Sequence, residues 1–238
     1  MNNIEGDIRE AVRFFWRMRL QQSKKQQSGV DLDRGARSAV TGGKQMDGFI
    51  RLVRTLLLDA GVPDSCIAID KRIEIPGWFR AEKQWDLVIV HQSELVAAIE
   101  FKSQIGPSFG NNFNNRTEEA LGSATDIWAA YREGAFRPSS RPFLGYLMFL
   151  EDCERSRTPV KVVEPHFQVF PEFKGASYRD RYAILLEKLL RERLYDGAAL
   201  LLSSAHSAKT GEFQQPHPEL TFVKFVTPLL GHVASICS

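Results

Sequence analysis

Three observations in this 238-residue chain predict an α/β fold in which helices flank a sheet. Helical and strand-like periodicities alternate along the chain up to Leu150. Two arms rich in Val, Ile and Leu enclose a short polar turn from His91 to Glu94, the pattern of a hairpin. Phe143 to Leu150 is almost wholly apolar, as a strand covered on both faces should be.

Each element has its own signal. Asn2 and Glu5 fit a capping pair, and Ile4, Ile8, Ala11 and Phe15 mark one face of a first helix. Residues 21–44, rich in Gln, Ser, Gly and Arg, read as a loop. Phe49, Leu52, Val53, Leu56 and Ala60 define a second helix, stopped by Gly61 ahead of Pro63. Ile67, Ile69, Ile73 and Ile75 alternate with polar residues in one strand that Pro76 ends, and the hairpin follows. Thr117 can cap a helix bearing Leu121, Ala124, Trp128 and Tyr131, which leaves the Asn-rich stretch before it as a loop. Beyond Leu150 a helix is expected near 178–194, strands near 198–204 and 220–226, and a short apolar tail. No repeat or linker divides the chain. A single domain over 1–238, with a C-terminal extension from about 151, is the economical organisation.

Composition narrows the class of protein. With 43% apolar and 25% charged residues the chain is an ordinary globular one, long enough for a sizeable core. No apolar run approaches the roughly 18 residues of a membrane span, and the N-terminus is polar, unlike a secretory signal. Cys66, Cys153 and Cys237 form no metal-ligand spacing and no disulfide framework, so a reducing, cytoplasmic setting is expected. The net charge of +2 decides little. Its distribution says more: Arg9, Arg13, Arg17, Arg19, Lys24, Lys25, Arg34, Arg37 and Lys44 crowd the N-terminal segment. That cluster suits phosphate contact, and equally a solvated helix face followed by a basic loop.

The chemistry concentrates in the hairpin. Folded symmetrically about Ser93, it places Asp86 opposite Glu100, and Lys102 shares the face of Glu100 because side chains repeat every two residues. Directly opposed residues have Cβ atoms about 4.5–5.5 Å apart, where like charges destabilise the pair. A divalent cation held between the two carboxylates resolves the repulsion, with Lys102 beside it to steady a water or a developing negative charge. The same charges could end a solvated hairpin, but both arms are too apolar for a ribbon with two wet faces.

An acidic residue, a strand-length gap and then Glu-x-Lys resembles the active-site signature of the PD-(D/E)xK nucleases. The order helix, three strands, helix, strand matches their common core, a mixed central sheet flanked by helices. Trp85 stands where the motif's proline would be, at a position that varies in the superfamily. Phosphodiester hydrolysis needs an activated water and charge relief on the phosphate, and hard oxygen ligands suit Mg²⁺ for both tasks. Asp86, Glu100 and the carbonyl of Phe101 are the expected ligands, with Lys102 positioning or activating the water. In related nucleases a glutamate from an N-terminal helix sometimes completes the site. Glu5 and Glu10 are the candidates here, and both fit a solvated helix face as well.

Other chemistries find no support. The five histidines are scattered. Gly42-Gly43-Lys44 lacks the Ser or Thr and the earlier glycine of a phosphate loop, so a helix lead-in is expected rather than ATP binding. After Lys102 the chain carries Gln104, Asn111, Asn112, Asn114, Asn115 and Arg116. Asn can pair in bidentate fashion with adenine and Arg with guanine, though Asn and Gly also make ordinary turns. These residues, with Lys44, are the candidate DNA contacts.

Thr41-Gly42-Gly43-Lys44-Gln45-Met46-Asp47, Glu100-Phe101-Lys102-Ser103-Gln104, the Asn-rich stretch and Arg141-Pro142-Phe143-Leu144-Gly145-Tyr146 together resemble the XhoI-like type II restriction endonucleases. The resemblance runs over essentially the whole chain. It implies Mg²⁺-dependent cleavage of double-stranded DNA at the palindrome CTCGAG with 5′ overhangs, in a restriction-modification system with a partner DNA methyltransferase. A palindromic target implies a homodimer. The competing expectations are a structure-specific repair or recombination nuclease on the same core, and a DNA-binding module with decayed catalysis.

Overall fold

The computed structural model describes residues 3–27 and 44–237, with the backbone alone at 24–27. Asn2 of the expected capping pair, Arg34, Arg37 and the Gly42-Gly43 pair lie outside the described residues.

Helix α1 (Ile4–Gln27) buries Ile8, Ala11, Val12, Phe15 and Trp16. It runs on through 21–27, where a loop is expected, because the Gln and Lys residues there are good helix formers and no Gly or Pro interrupts them. A 3-10 turn (Lys44–Met46) leads into α2 (Asp47–Asp59), and Gly61 ends that helix at φ 90°. Ala60 is exposed just past its end.

The single strand expected over Ile67–Ile75 is two. Strand β1 (Ile67–Ala68) stays with the main sheet, whereas β2 (Glu74–Pro76) leaves it to pair with β3 (Glu82–Gln84). Asp70 and Arg72 between them adopt φ of 63° and 57°, a reversal that apolar alternation on either side does not reveal. Pro76 ends β2, as expected.

The predicted hairpin is β4 (Leu87–His91) and β5 (Glu94–Gln104). Helix α3 (Phe109–Arg132) crosses to β6 (Phe143–Glu151), whose residues 143–150 are all buried. After a short α4 (Glu154–Arg157) come α5 (Tyr178–Arg191), β7 (Gly197–Ser203) and α6 (Phe222–Cys237). Two expectations fail here. Thr117 lies inside α3, its hydroxyl donating to the Phe113 carbonyl at 2.9 Å. The stretch expected as a strand over 220–226 instead enters α6. Its aromatic and β-branched residues favour a strand locally, but Phe222, Phe225, Val226, Leu229 and Val233 form a helical stripe that is fully buried.

Five strands form one mixed sheet in the order β1-β4-β5-β6-β7, antiparallel up to β5 and parallel beyond it. Both parallel connections contain a helix, as crossovers of this kind require. Helices α1, α2 and α6 cover one face, and α3 and α5 the other, each over its own apolar core. The segment beyond 151 therefore supplies the edge strand β7 to the common sheet. No helix among the described residues is long and apolar enough to cross a membrane.

Candidate active site

The turn of the hairpin is Gln92-Ser93, with both residues at positive φ, 47° and 68°, the geometry of a tight two-residue hairpin loop. Next to it His91 pairs with Glu94 and Val90 with Leu95. Continued unbroken, that register would put Asp86 opposite Ile99. The register shifts beyond Val90, however: Ile89 pairs with Ala97 and Leu87 with Ile99, so Val96 is one extra residue on β5. A one-residue slip turns every side chain to the other face. This bulge brings Asp86 opposite Glu100 and sets Glu100, Lys102 and Gln104 on the α3 and α5 side of the sheet, while Phe101 points into the other core.

Glu100 is 1% exposed, and Lys102 Nζ lies 3.1 Å from its Oε2 and 3.9 Å from Asp86 Oδ2. The backbone N–H of Phe101 donates to Asp86 Oδ2 at 2.7 Å. The two carboxylates differ electrostatically. Burial pushes the Asp86 carboxyl above its ordinary range, and the charge of Glu100 adds to this against the pull of Lys102. Burial acts on Glu100 too, but the ammonium groups of Lys102 and Lys83 outweigh it and hold that carboxyl low. Lys102 is raised: burial opposes its charge, and Glu100 and Asp86 more than restore it. It stands in the site as an ammonium, a donor and counter-charge.

Sequence reasoning missed Lys83. It comes from β3, ion-pairs with Glu100 Oε1, and lies 4.5 Å over the Trp85 ring. Its alternation with Trp85 was the only local signal. Asp47, at the start of α2, was missed as well. Burial raises its carboxyl, and the charges of Asp70 and Asp86 add to that effect. Neither Glu5 nor Glu10 takes part: Glu5 pairs with Arg9, and Glu10 with Arg13 and Arg17, on the exposed face of α1. The same pairs engage three arginines of the N-terminal basic cluster.

Lys44 is exposed at the head of the turn into α2, as the expected lead-in requires. Its neighbour Gln45 is buried and donates to Ser103 Oγ at 2.6 Å, which ties that turn to the strand carrying Lys102. Gln104 faces inward, 2% exposed, donating to the Ile105 carbonyl at 2.9 Å and accepting from the Tyr182 hydroxyl at 3.3 Å. It braces β5 against α5 and presents nothing at the surface. The Asn-rich stretch is not a loop but the first turns of α3. Phe109 and Phe113 pack on Tyr178 and Tyr182, and this overrides the weak helix propensity of Asn. Asn111, Asn114 and Asn115 are exposed, Asn112 is half-buried, and Arg116 pairs with Glu119 close enough to Lys102 to repel it.

Among the described residues no three His, Cys, Asp or Glu gather as a metal-binding group. The donor set nevertheless fits Mg²⁺, which keeps several waters and takes one or two protein carboxylates. Asp86 and Glu100 supply two hard oxygen donors on one face, beside an ammonium suited to an anionic substrate.

A mixed sheet whose bulged hairpin gathers two carboxylates and a lysine is the architecture of the restriction-endonuclease-like enzymes. The comparisons agree. The restriction endonuclease XhoI family matches residues 24–215. Type II restriction enzyme BstVI of Geobacillus stearothermophilus is 50% identical over 216 residues, 89% of this chain and 96% of that protein. Type II restriction enzyme XhoI of Xanthomonas vasicola is 48% identical over 158 residues, 66% of this chain and 64% of that protein. Type II restriction enzyme AbrI of Azospirillum brasilense is 47% identical over 167 residues, covering 70% and 75%. No solved structure matches. The chain belongs to the XhoI restriction endonuclease family, and so to the type II restriction enzymes, which are site-specific deoxyribonucleases.

Proposed function

We propose that this enzyme cleaves double-stranded DNA within the palindrome CTCGAG, leaves 5′ overhangs, uses Mg²⁺, and works as a homodimer in the cytoplasm beside a methyltransferase that protects the host's sites. The resemblance in sequence motivates the target and the partner. The observation that carries the chemistry is the bulge-set opposition of Asp86 and Glu100 with Lys102 between them.

Asp86 and Glu100, with the Phe101 carbonyl, would hold the metal ion, which when bound supplies Lewis acidity to the phosphate and acidity to a water. Phe101 orients Asp86 through its N–H. Lys102, charged and fixed between the carboxylates, donates to the attacking water or to a phosphate oxygen and offsets negative charge as it develops. The exposed Asn side chains at the start of α3 suit base edges in a major groove, which admits a helix. Lys44 and Arg116 suit phosphate.

A plasmid of known sequence tests the reading. With Mg²⁺ it should yield fragments ending at every unmodified CTCGAG, and none in EDTA. Lys102→Ala should lower the rate at least about 10²-fold while leaving DNA binding in Ca²⁺ intact. Undiminished cutting in EDTA, or fragments ending elsewhere, refutes it.

A further inference from the structure

Glu100 has an ammonium at each of its oxygens. Lys102 Nζ lies 3.1 Å from Oε2, and Lys83 pairs with Oε1. Glu100 is only 1% exposed, and the Lys83 and Lys102 side chains that pair with it are 15% and 22% exposed. Lys83 also donates to the Gln84 carbonyl at 3.1 Å and rests over the Trp85 ring. Oε1 is thus hydrogen-bonded to Lys83, while Oε2 faces Lys102 without a hydrogen bond, and a cation arriving there meets two like charges.

The two lysines are not equivalent. Lys102 rides on β5 with Glu100 and is shared with Asp86. Lys83 belongs to a separate two-stranded ribbon of three residue pairs. Beyond the ribbon, the Trp78 and Phe79 N–H groups each donate to Asp126 Oδ1 at 2.8 Å, and Arg80 Nε lies 2.8 Å from Oδ2. The ribbon is thus held at its far end, and Lys83 reaches Glu100 from it on a long, unbranched side chain.

We propose that Lys83 is a positioning residue that guards the metal site. It occupies Glu100 Oε1 in the metal-free protein and yields that oxygen to a divalent cation when a DNA phosphate accepts its ammonium. This rests on the metal-dependent reading above and adds a coupling to it. Metal and DNA each remove the obstacle to the other, so each tightens the other's binding by the same factor. Free metal is held weakly, and the site assembles fully only on DNA.

Calorimetric titration of Ca²⁺ alone tests this without turnover, using wild type, Lys83→Met, Lys83→Gln and Lys83→Arg, with and without a duplex bearing CTCGAG. Without DNA, the two neutral variants should bind Ca²⁺ about tenfold or more tighter than wild type, and Lys83→Arg should match wild type. The duplex should tighten Ca²⁺ binding strongly in wild type and much less in the neutral variants. Lys83→Gln keeps a hydrogen-bond donor for Glu100 and carries the test if Lys83→Met does not fold. Unchanged or weaker Ca²⁺ binding by a folded neutral variant overturns the guard. If wild type still cuts DNA with Mg²⁺ in that case, the nuclease reading stands alone. If wild type neither cuts nor binds Ca²⁺ with the duplex, both fall.

Discussion

Phe101 donates its backbone N–H to Asp86 Oδ2 at 2.7 Å, so the strand that carries Glu100 and Lys102 also orients the carboxylate facing them. One strand thereby sets all three groups. The bulge at Val96 turns the correct face of β5 toward Asp86, and the hydrogen bond fixes its rotamer.

Neutralising the two carboxylates should move stability in opposite directions. Glu100→Gln leaves the ammonium groups of Lys83 and Lys102 facing a neutral amide in a buried site, a loss of about 3–5 kcal/mol and a Tm lower by about 10 °C. Asp86→Asn removes a carboxylate that burial disfavours in the metal-free protein and should raise Tm. Thermal melts in EDTA at neutral pH decide this. Equal effects of the two variants would contradict the charge asymmetry.

The pH dependence should cross. Asp86 titrates above its ordinary 3.8 in the folded protein, so its contribution is present below that value and lost as pH rises through the folded one. The Tm advantage of Asp86→Asn should therefore be small in acid and open as pH rises. Glu100 titrates below its ordinary 4.5, so its contribution is present above that value and lost as pH falls through the folded one. The deficit of Glu100→Gln should therefore narrow in acid. Melts from acid to neutral pH, without metal, read both trends, and parallel curves would refute the assignment.

Base reading is expected from the exposed edge of α3. Truncating Asn111, Asn114 or Asn115 to Ala should cost about 1–3 kcal/mol at one base pair of the site. Arg116→Ala should weaken all sequences alike and lower the salt slope by about one. Gln104→Ala should change stability but not site preference, because its side chain is turned into the core. Binding to single-base variants of the site, in Ca²⁺, distinguishes these outcomes. If no Asn substitution alters preference, α3 is not the reader.

The palindromic target proposed above would present two identical half-sites, for which two copies of this chain are expected, one active site for each strand. Light scattering of the complex should give, beyond the mass of the duplex itself, twice the 27.0 kDa chain mass. A strict monomer, both free and bound, would eliminate the homodimer.

Local patterns made much of the fold legible. The apolar face of α1, the whole of β6, the hairpin and the Glu100–Lys102 spacing all follow from periods of 3.6 or 2, which neighbouring residues express directly. Folding the hairpin about Ser93 predicts Asp86 opposite Glu100. The pairing has that register for a different reason, because the turn is one step tighter and the Val96 bulge restores it. Where local preference and packing disagree, packing prevails. The Asn-rich run becomes helix because Phe109 and Phe113 find Tyr178 and Tyr182, and the strand expected after Leu220 becomes α6 because its apolar stripe continues to Val233.

By itself, then, the sequence determined the family, the alternation of elements and the identity of the three motif residues, all of which are written in adjacent or regularly spaced positions. The tertiary structure alone decided what those residues meet. Lys83 reaches Glu100 from another sheet, Gln45 reaches Ser103 from the turn before α2, and Gln104 turns inward to Tyr182. Such contacts depend on how separate elements dock, and docking is set by the summed burial of two cores on opposite faces of the sheet, which no short stretch of chain contains.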